Sequence, residues 1–255
     1  MLKKRIIPVV LLDGFSVLKT RKFGTRRNLG SPITVMTTYN KRNVDELIIL
    51  DIDASKQNRT IDHFIIKEIT DGCFMPLTIG GGLKSCNDIE LLLSSGADKI
   101  TINSIALSST SFILEAVRNF GSQCIVASID VKNIDGNLSI HSETFDTSNI
   151  NIMEYLKLLE NSGVGEIFIN DVDRDGEMNG PNYELAKVIS DTVKVPIIFS
   201  GGIGHPQHCS ELIKKGNVDA VGVSSIFHFT DYTPEDCRKA LRDSGIPARK
   251  NENEV

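Results

Sequence analysis

Residues 46–53 read ELIILDID, and residues 166–173 read EIFINDVD. Glu46, Asp51 and Asp53 fall on Glu166, Asp171 and Asp173, each 120 positions later. The same interval carries Pro76 onto Pro196, Gly81 onto Gly201 and Gly82 onto Gly202. An interval of 121 carries Asn103 and Ser104 onto Ser224 and Ser225. Self-similarity at a fixed spacing marks a duplicated structural unit. Each copy begins as a short apolar run closed by carboxylates, the pattern of a parallel strand buried on both faces.

Apolar runs and amphipathic stretches alternate along the whole chain. The runs predict strands over 5–11, 46–52, 76–79, 99–102, 124–130, 166–170, 196–200 and 220–223. Between them, helices are expected near 32–41, 60–70, 87–95, 110–119, 152–161, 183–191, 206–215 and 234–242. Gly96, Gly163 and Gly216 stand where helices should stop, and glycine suits a left-handed cap. One βα unit per ~30 residues is the ordinary size of such a unit. Four units duplicated once make eight, which favours a closed (β/α)8 TIM barrel with an internal two-fold half-barrel repeat over an open doubly wound sheet. The expected organisation is a single domain over 1–255, with half-barrels at about 1–120 and 121–245. The tail, 249–255, is polar and expected to fray.

Composition narrows the function classes. A formal net charge of −5 argues against a general nucleic-acid binder, which carries a basic excess. No apolar run approaches the roughly 18 residues of a spanning helix, so no membrane partner is expected. The basic, apolar start resembles a signal peptide, but its apolar stretch is short, is broken by Pro8 and lacks a cleavage site, so it reads as the first strand. Five cysteines, with no C-x-x-C pair, point to a reduced, cytoplasmic chain.

The candidate chemistry lies where barrel strands end. The strand over 124–130 closes on Asp130, a candidate acid–base group, followed by a loop containing Asp135 and Gly136. Two glycine runs follow strands: IGGG, containing Gly81 and Gly82, and SGG, containing Gly201 and Gly202. Glycine lets backbone N–H groups approach a phosphate closely. Asn103 with Ser104, and Ser224 with Ser225, supply a second polar loop beside each run. The plain alternative for one such run is a tight strand-to-helix turn. Two symmetry-related pairs favour two phosphate sites, with a doubly phosphorylated substrate lying across Asp130. DVDRDG at 171–176 imitates a calcium loop, but Asn182 stands where that template needs Glu. His205, His208 and Cys209 read as helix-start residues rather than metal ligands, so neither a metal nor another cofactor is expected. Arg5, Glu46, Lys99 and Glu166 open their strands and predict a ring of two cations and two anions on the barrel floor. That ring reads equally as a polar plug or as a functional element.

On the motifs MLKKRIIP, DELIILDI, TIGGG, GADKITINS, SIDVK, GEIFINDVDRDG, PIIFSGG and SSIFHF, the chain resembles the cyclase subunit of imidazole glycerol phosphate synthase. The resemblance runs from Met1 to about Ser244. It implies a lyase of histidine biosynthesis that takes ammonia from a partner glutaminase in a heterodimer. The substrate implied is a ribulosyl-formimino aminoimidazole carboxamide ribonucleotide, converted to imidazole glycerol phosphate and aminoimidazole carboxamide ribonucleotide. It also implies that Gly81, Gly82 and Asn103 hold one phosphate, and that Gly201, Gly202, Ser224 and Ser225 hold the other, near Asn170. By the same resemblance Asp130 is a catalytic carboxylate, Lys19 belongs to a mobile first loop closing over substrate, and Arg5, Glu46, Lys99 and Glu166 form an ammonia gate. The family carries its other catalytic Asp where this chain has Leu11, and reads Asp-x-Lys-Asp-Gly where this chain, one residue shorter, reads Leu11, Leu12, Asp13, Gly14. Asp13 shares strand parity with Leu11 but lies roughly 6.6 Å further along. Leu11 also admits a paralogue reading: a barrel that keeps the ammonia route and serves a sugar amidotransferase in surface-polysaccharide synthesis.

Overall fold

The structure is a computed structural model and describes residues 2–250; the outer tail, 251–255, lies outside the described residues. Eight parallel strands form the barrel: β1 (Arg5–Asp13), β2 (Leu47–Asp51), β3 (Leu77–Gly80), β4 (Lys99–Ile102), β5 (Ile125–Ile134), β6 (Glu166–Asp171), β7 (Ile197–Ser200) and β8 (Ala220–Val223). Each pairs with the next, and β8 returns to β1 from Arg5↔Ala220 to Pro8↔Val223, which closes the cylinder. The expected (β/α)8 barrel is therefore the observed fold.

Strand alternation sorts side chains into two layers. Ile7, Val9 and Leu11 of β1 meet Ile48, Val126, Phe168, Ile198 and Ala220 inside the barrel. The alternate residues, such as Ile6, Val10 and Leu12, pack outward against the helices. Because both faces are buried, these strands read as continuous apolar runs.

The eight longer helices are α1 (Pro32–Lys41), α2 (His63–Thr70), α3 (Cys86–Ser94), α4 (Thr110–Phe120), α5 (Ile152–Asn161), α6 (Tyr183–Thr192), α7 (Pro206–Gly216) and α8 (Pro234–Asp243), and two five-residue helices, Ser104–Ser108 and Ser225–Phe229, follow β4 and β8. Capping sets their starts. α2 begins after Asp62, whose carboxylate accepts from the N–H groups of Phe64 and Ile65, and so starts later than expected. Ser85 and Asp88 form a capping box on α3, as do Thr233 and Asp236 on α8. Gly216 is not the cap expected of it. It ends α7 within the helix, and Asn217 takes the left-handed conformation instead, at φ 55°. Gly216 is needed for packing, since a Cβ there would lie 2.7 Å from the Ala186 Cβ on α6.

Two segments expected to be loops are hairpins. β1 runs on to Asp13 and turns into antiparallel strands Ser16–Arg21 and Thr25–Gly30. β5 runs on to Ile134, and Asp135 and Gly136, both at positive φ, turn it into strand Asn137–Ile140. An Asp-Gly pair is the preferred two-residue hairpin turn. Both hairpins rise over the C-terminal mouth of the barrel. Among the described residues, no helix is long and apolar enough to cross a membrane.

Candidate active site

Alternation along β5 turns Val126, Ser128 and Asp130 inward, so the carboxylate of Asp130 stands at the top of the barrel interior. Asn103, just after β4, donates from Nδ2 to Asp130 Oδ2 at 2.8 Å. Asn170, in register with Asp130 on β6, donates from Nδ2 to Oδ1, also at 2.8 Å. Burial raises the pKa of this carboxyl; the Asn170 and Asn103 amides pull the other way without cancelling it. Asn103 and Asn170, read from sequence as phosphate neighbours, thus turn their amides onto Asp130.

Asp130 faces one cavity. Gly81, Gly82, Asn103 and Ser104 line it from the first half of the barrel, and Asn170, Ser200 and Ser224 from the second. Gly201, Gly202 and Ser225 are not among its lining residues. The two glycine runs nevertheless repeat one packing solution. Gly81 and Gly201 take φ 145° and 124°, and a Cβ would lie 2.8 Å from the Asp51 Cβ at the first and 2.9 Å from the Asp171 Cβ at the second. Glycine at these positions lets each loop lie flat on the neighbouring strand end.

The wall opposite Asp130 is apolar, built from Val9, Leu11, Leu50 and Ile52. Leu11 is nearly buried. Asp13 does not line the cavity; its carboxylate is turned outward, 3.5 Å from Arg26, with 43% of the side chain exposed.

The first hairpin covers the mouth through Lys19, Thr20, Phe23 and Arg26. Lys19 lies on a strand, buried, and its Nζ pairs with the Asp175 carboxylate. Thr20 Oγ1 donates to the same carboxylate at 2.6 Å, and the Phe23 N–H at 3.3 Å. On the other side, Arg26 forks onto Asp53, and this hydrogen-bonded guanidinium holds the Asp53 carboxyl below the usual range. The hairpin therefore spans the mouth from the β2 side to the β6 side.

The duplicated carboxylates differ in partnership. Asp51 receives Arg59 at 2.5 and 3.0 Å. The repeat places Asn179 where Arg59 would stand in the second half, and Asp171 keeps a buried Oδ2 without a hydrogen-bond partner. Burial first, and the nearby Asp173 charge second, push Asp171 up to about 6.

At the floor, the four charges expected to form a ring do so. Arg5 pairs with Glu46 at 2.6 Å and with Glu166; Lys99 pairs with Glu46 at 3.0 Å and Glu166 at 2.8 Å. Thr78 Oγ1 adds a bond to Glu46 at 2.8 Å. Burial alone would raise the Glu166 carboxyl, but Arg5 and Lys99 outweigh it and hold it low. His205 caps α7 through Nδ1, and His208 Nδ1 accepts from the Gly204 N–H at 3.2 Å. Among the described residues, no group of three or more His, Cys, Asp or Glu side chains could hold a metal ion. Thr20, Phe23, Arg26, Asp175 and His141 belong to this site and were not singled out from sequence. The Asp135, Gly136 turn could have located His141, because it dictates which residue lies opposite Asp130.

The family model described as histidine biosynthesis protein matches residues 5–233. A relative from Campylobacter jejuni, provisionally named imidazole glycerol phosphate synthase subunit hisF2, is 44% identical over 252 residues, covering 98% of this chain and 99% of that protein.

Proposed function

We propose, from the premise that the chain belongs to the histidine biosynthesis protein family, that it is an ammonia-using cyclase-type barrel. Its substrate would be the doubly phosphorylated ribulosyl-formimino ribonucleotide, and a separate glutaminase would supply the ammonia. The observation that carries this reading is Asp130, held by Asn103 and Asn170 on the wall of a cavity that Gly81 and Gly82 line from one half of the barrel and Ser200 and Ser224 from the other. The salt-bridged floor of Arg5, Glu46, Lys99 and Glu166 supports an entry point for ammonia. The relative's name, a synthase subunit, agrees with a glutaminase partner. Gly81, Gly82, Gly201, Gly202, Ser224 and Ser225 are the proposed phosphate ligands, and Lys19 is proposed to engage substrate from the hairpin.

The decisive experiment supplies the ribonucleotide and excess ammonium salt to the isolated chain and measures imidazole glycerol phosphate. Product is expected, and Asp130→Asn should abolish it. No product at any ammonium concentration would refute the reading. A second reading is favoured by one observation, the apolar wall containing Leu11. On that reading the barrel relays ammonia to a sugar-modifying protein without cyclising anything. Inactive wild type together with product from Leu11→Asp would favour it, since the scaffold would then be competent and only an acid missing.

A further inference from the structure

The second hairpin at the mouth places a histidine beside Asp130. Its ladder runs from Ile134↔Asn137 to Val131↔Ile140, which makes Asp130 and His141 the next opposing residues. The His141 N–H donates to the Asp130 carbonyl at 2.7 Å, so the pairing continues to that point. Opposing residues of an antiparallel pair project to the same face, with Cβ atoms about 5 Å apart. Both side chains line the cavity. Phe23, from the first hairpin, meets the His141 ring edge-on with centroids 6.0 Å apart.

The charged neighbours are committed elsewhere. Lys19 pairs with Asp175, Arg26 with Asp53, Lys56 with Glu143, and Asp51 with Arg59. His141 is in no ion pair among the described residues. Leu11, across the cavity, can neither give nor take a proton. Proton transfer at two ends of a reacting unit therefore has two candidate side chains here, Asp130 and His141.

We propose that His141 is a catalytic acid–base residue of this cavity, serving with Asp130 in the reaction whose second carboxylate is absent from β1. The proposal rests on the cyclase reading. Ammonia forms a C–N bond to the substrate's carbonyl carbon. The His141 imidazole takes two protons from that nitrogen, one after the other, and passes each to the carbonyl oxygen, so that the C–O bond breaks, the oxygen leaves as water and a C=N bond remains. The imidazole ends neutral, so the step consumes no external acid or base.

The test measures ammonium-driven turnover of wild type, His141→Gln, Leu11→Asp and the double variant, with melting temperatures to confirm folding. Loss of one acid–base group typically lowers the rate by ~10²–10⁴. His141→Gln should therefore lose at least about a hundredfold in kcat with little change in KM, and one limb of its pH profile should disappear. Leu11→Asp should make the His141→Gln loss smaller, since the two groups would share a role. Added imidazole should partly rescue His141→Ala, which keeps the claim testable if the Gln variant folds poorly. Active wild type with an unimpaired His141→Gln would overturn the His141 assignment alone. Wild type without turnover would overturn the cyclase reading, and the assignment with it.

Discussion

Replacing Asp175 by alanine should release the first hairpin from the barrel mouth. That carboxylate receives the Lys19 ammonium, the Thr20 hydroxyl and the Phe23 N–H. Lys19 is only 5% exposed, so a closed hairpin in the variant would hold an unpaired buried charge. Breaking a buried pair by removing one partner costs about 3–5 kcal/mol. Swinging the hairpin open returns Lys19 to water and avoids that cost. At the lower figure of about 3 kcal/mol, the ratio of open to closed hairpin rises by roughly a hundredfold. Trypsin reads this directly, because Arg21 ends the hairpin's first strand and Lys22 follows it in the turn. When opening is fast relative to cleavage, the cleavage rate follows the open population. Cleavage at Arg21 and Lys22, followed by mass spectrometry, should therefore accelerate by roughly that factor. Glu177→Gln weakens only the surface pairs of Glu177 with the exposed Arg21 and Lys22 and should change the rate little. If Asp175→Ala were cleaved no faster than Glu177→Gln, the latch would be refuted.

Three further outcomes follow from the same geometry. Asp171 is buried with its pKa pushed up to about 6, so the protonated folded state is favoured below the unfolded carboxylate's value near 4 and that stability is lost as pH rises through 6; Asp171→Asn should stabilise the protein at pH 8 by up to about 3 kcal/mol and have no effect near pH 3, as denaturant titrations would show. Glu46→Ala leaves Arg5 and Lys99 sharing one carboxylate and Thr78 without its acceptor, and should cost about 3 kcal/mol, or roughly 6–12 °C in Tm by calorimetry. Gly81→Ala forces a Cβ to within 2.8 Å of Asp51 at a positive φ, so weaker binding of a phosphate-bearing ligand, measured by calorimetric titration, should accompany lower stability.

Much of the barrel was legible because its strands are buried on both faces and the chain carries its own duplicate. Glu46 and Glu166, 120 residues apart, announce the repeat, and the floor ring follows from charges at strand starts. Helix boundaries were less legible, since they depend on which polar residue caps. Asp62 shortened α2, and the Ala186 contact kept Gly216 inside α7. The hairpin over 16–30 was missed because its second strand, TRRNLG, is exposed and mostly polar and shows no apolar alternation. The hairpin after β5 did carry a signal in its Asp-Gly turn.

The residues themselves determined the eightfold βα order, the paired glycine loops, the carboxylate at position 130 and the apolar side chain at position 11. Alternation and repetition are local properties that one sequence displays. Tertiary structure decided which of these groups meet. Asp130 gains Asn103 and Asn170 only because β4, β5 and β6 lie side by side. Lys19 finds Asp175, 156 residues away, only when the hairpin folds across the mouth. His141 reaches the cavity because antiparallel register puts it opposite Asp130. Hydrogen bonds and ion pairs act over a few ångströms, and only the closed barrel brings groups so distant in sequence within that range.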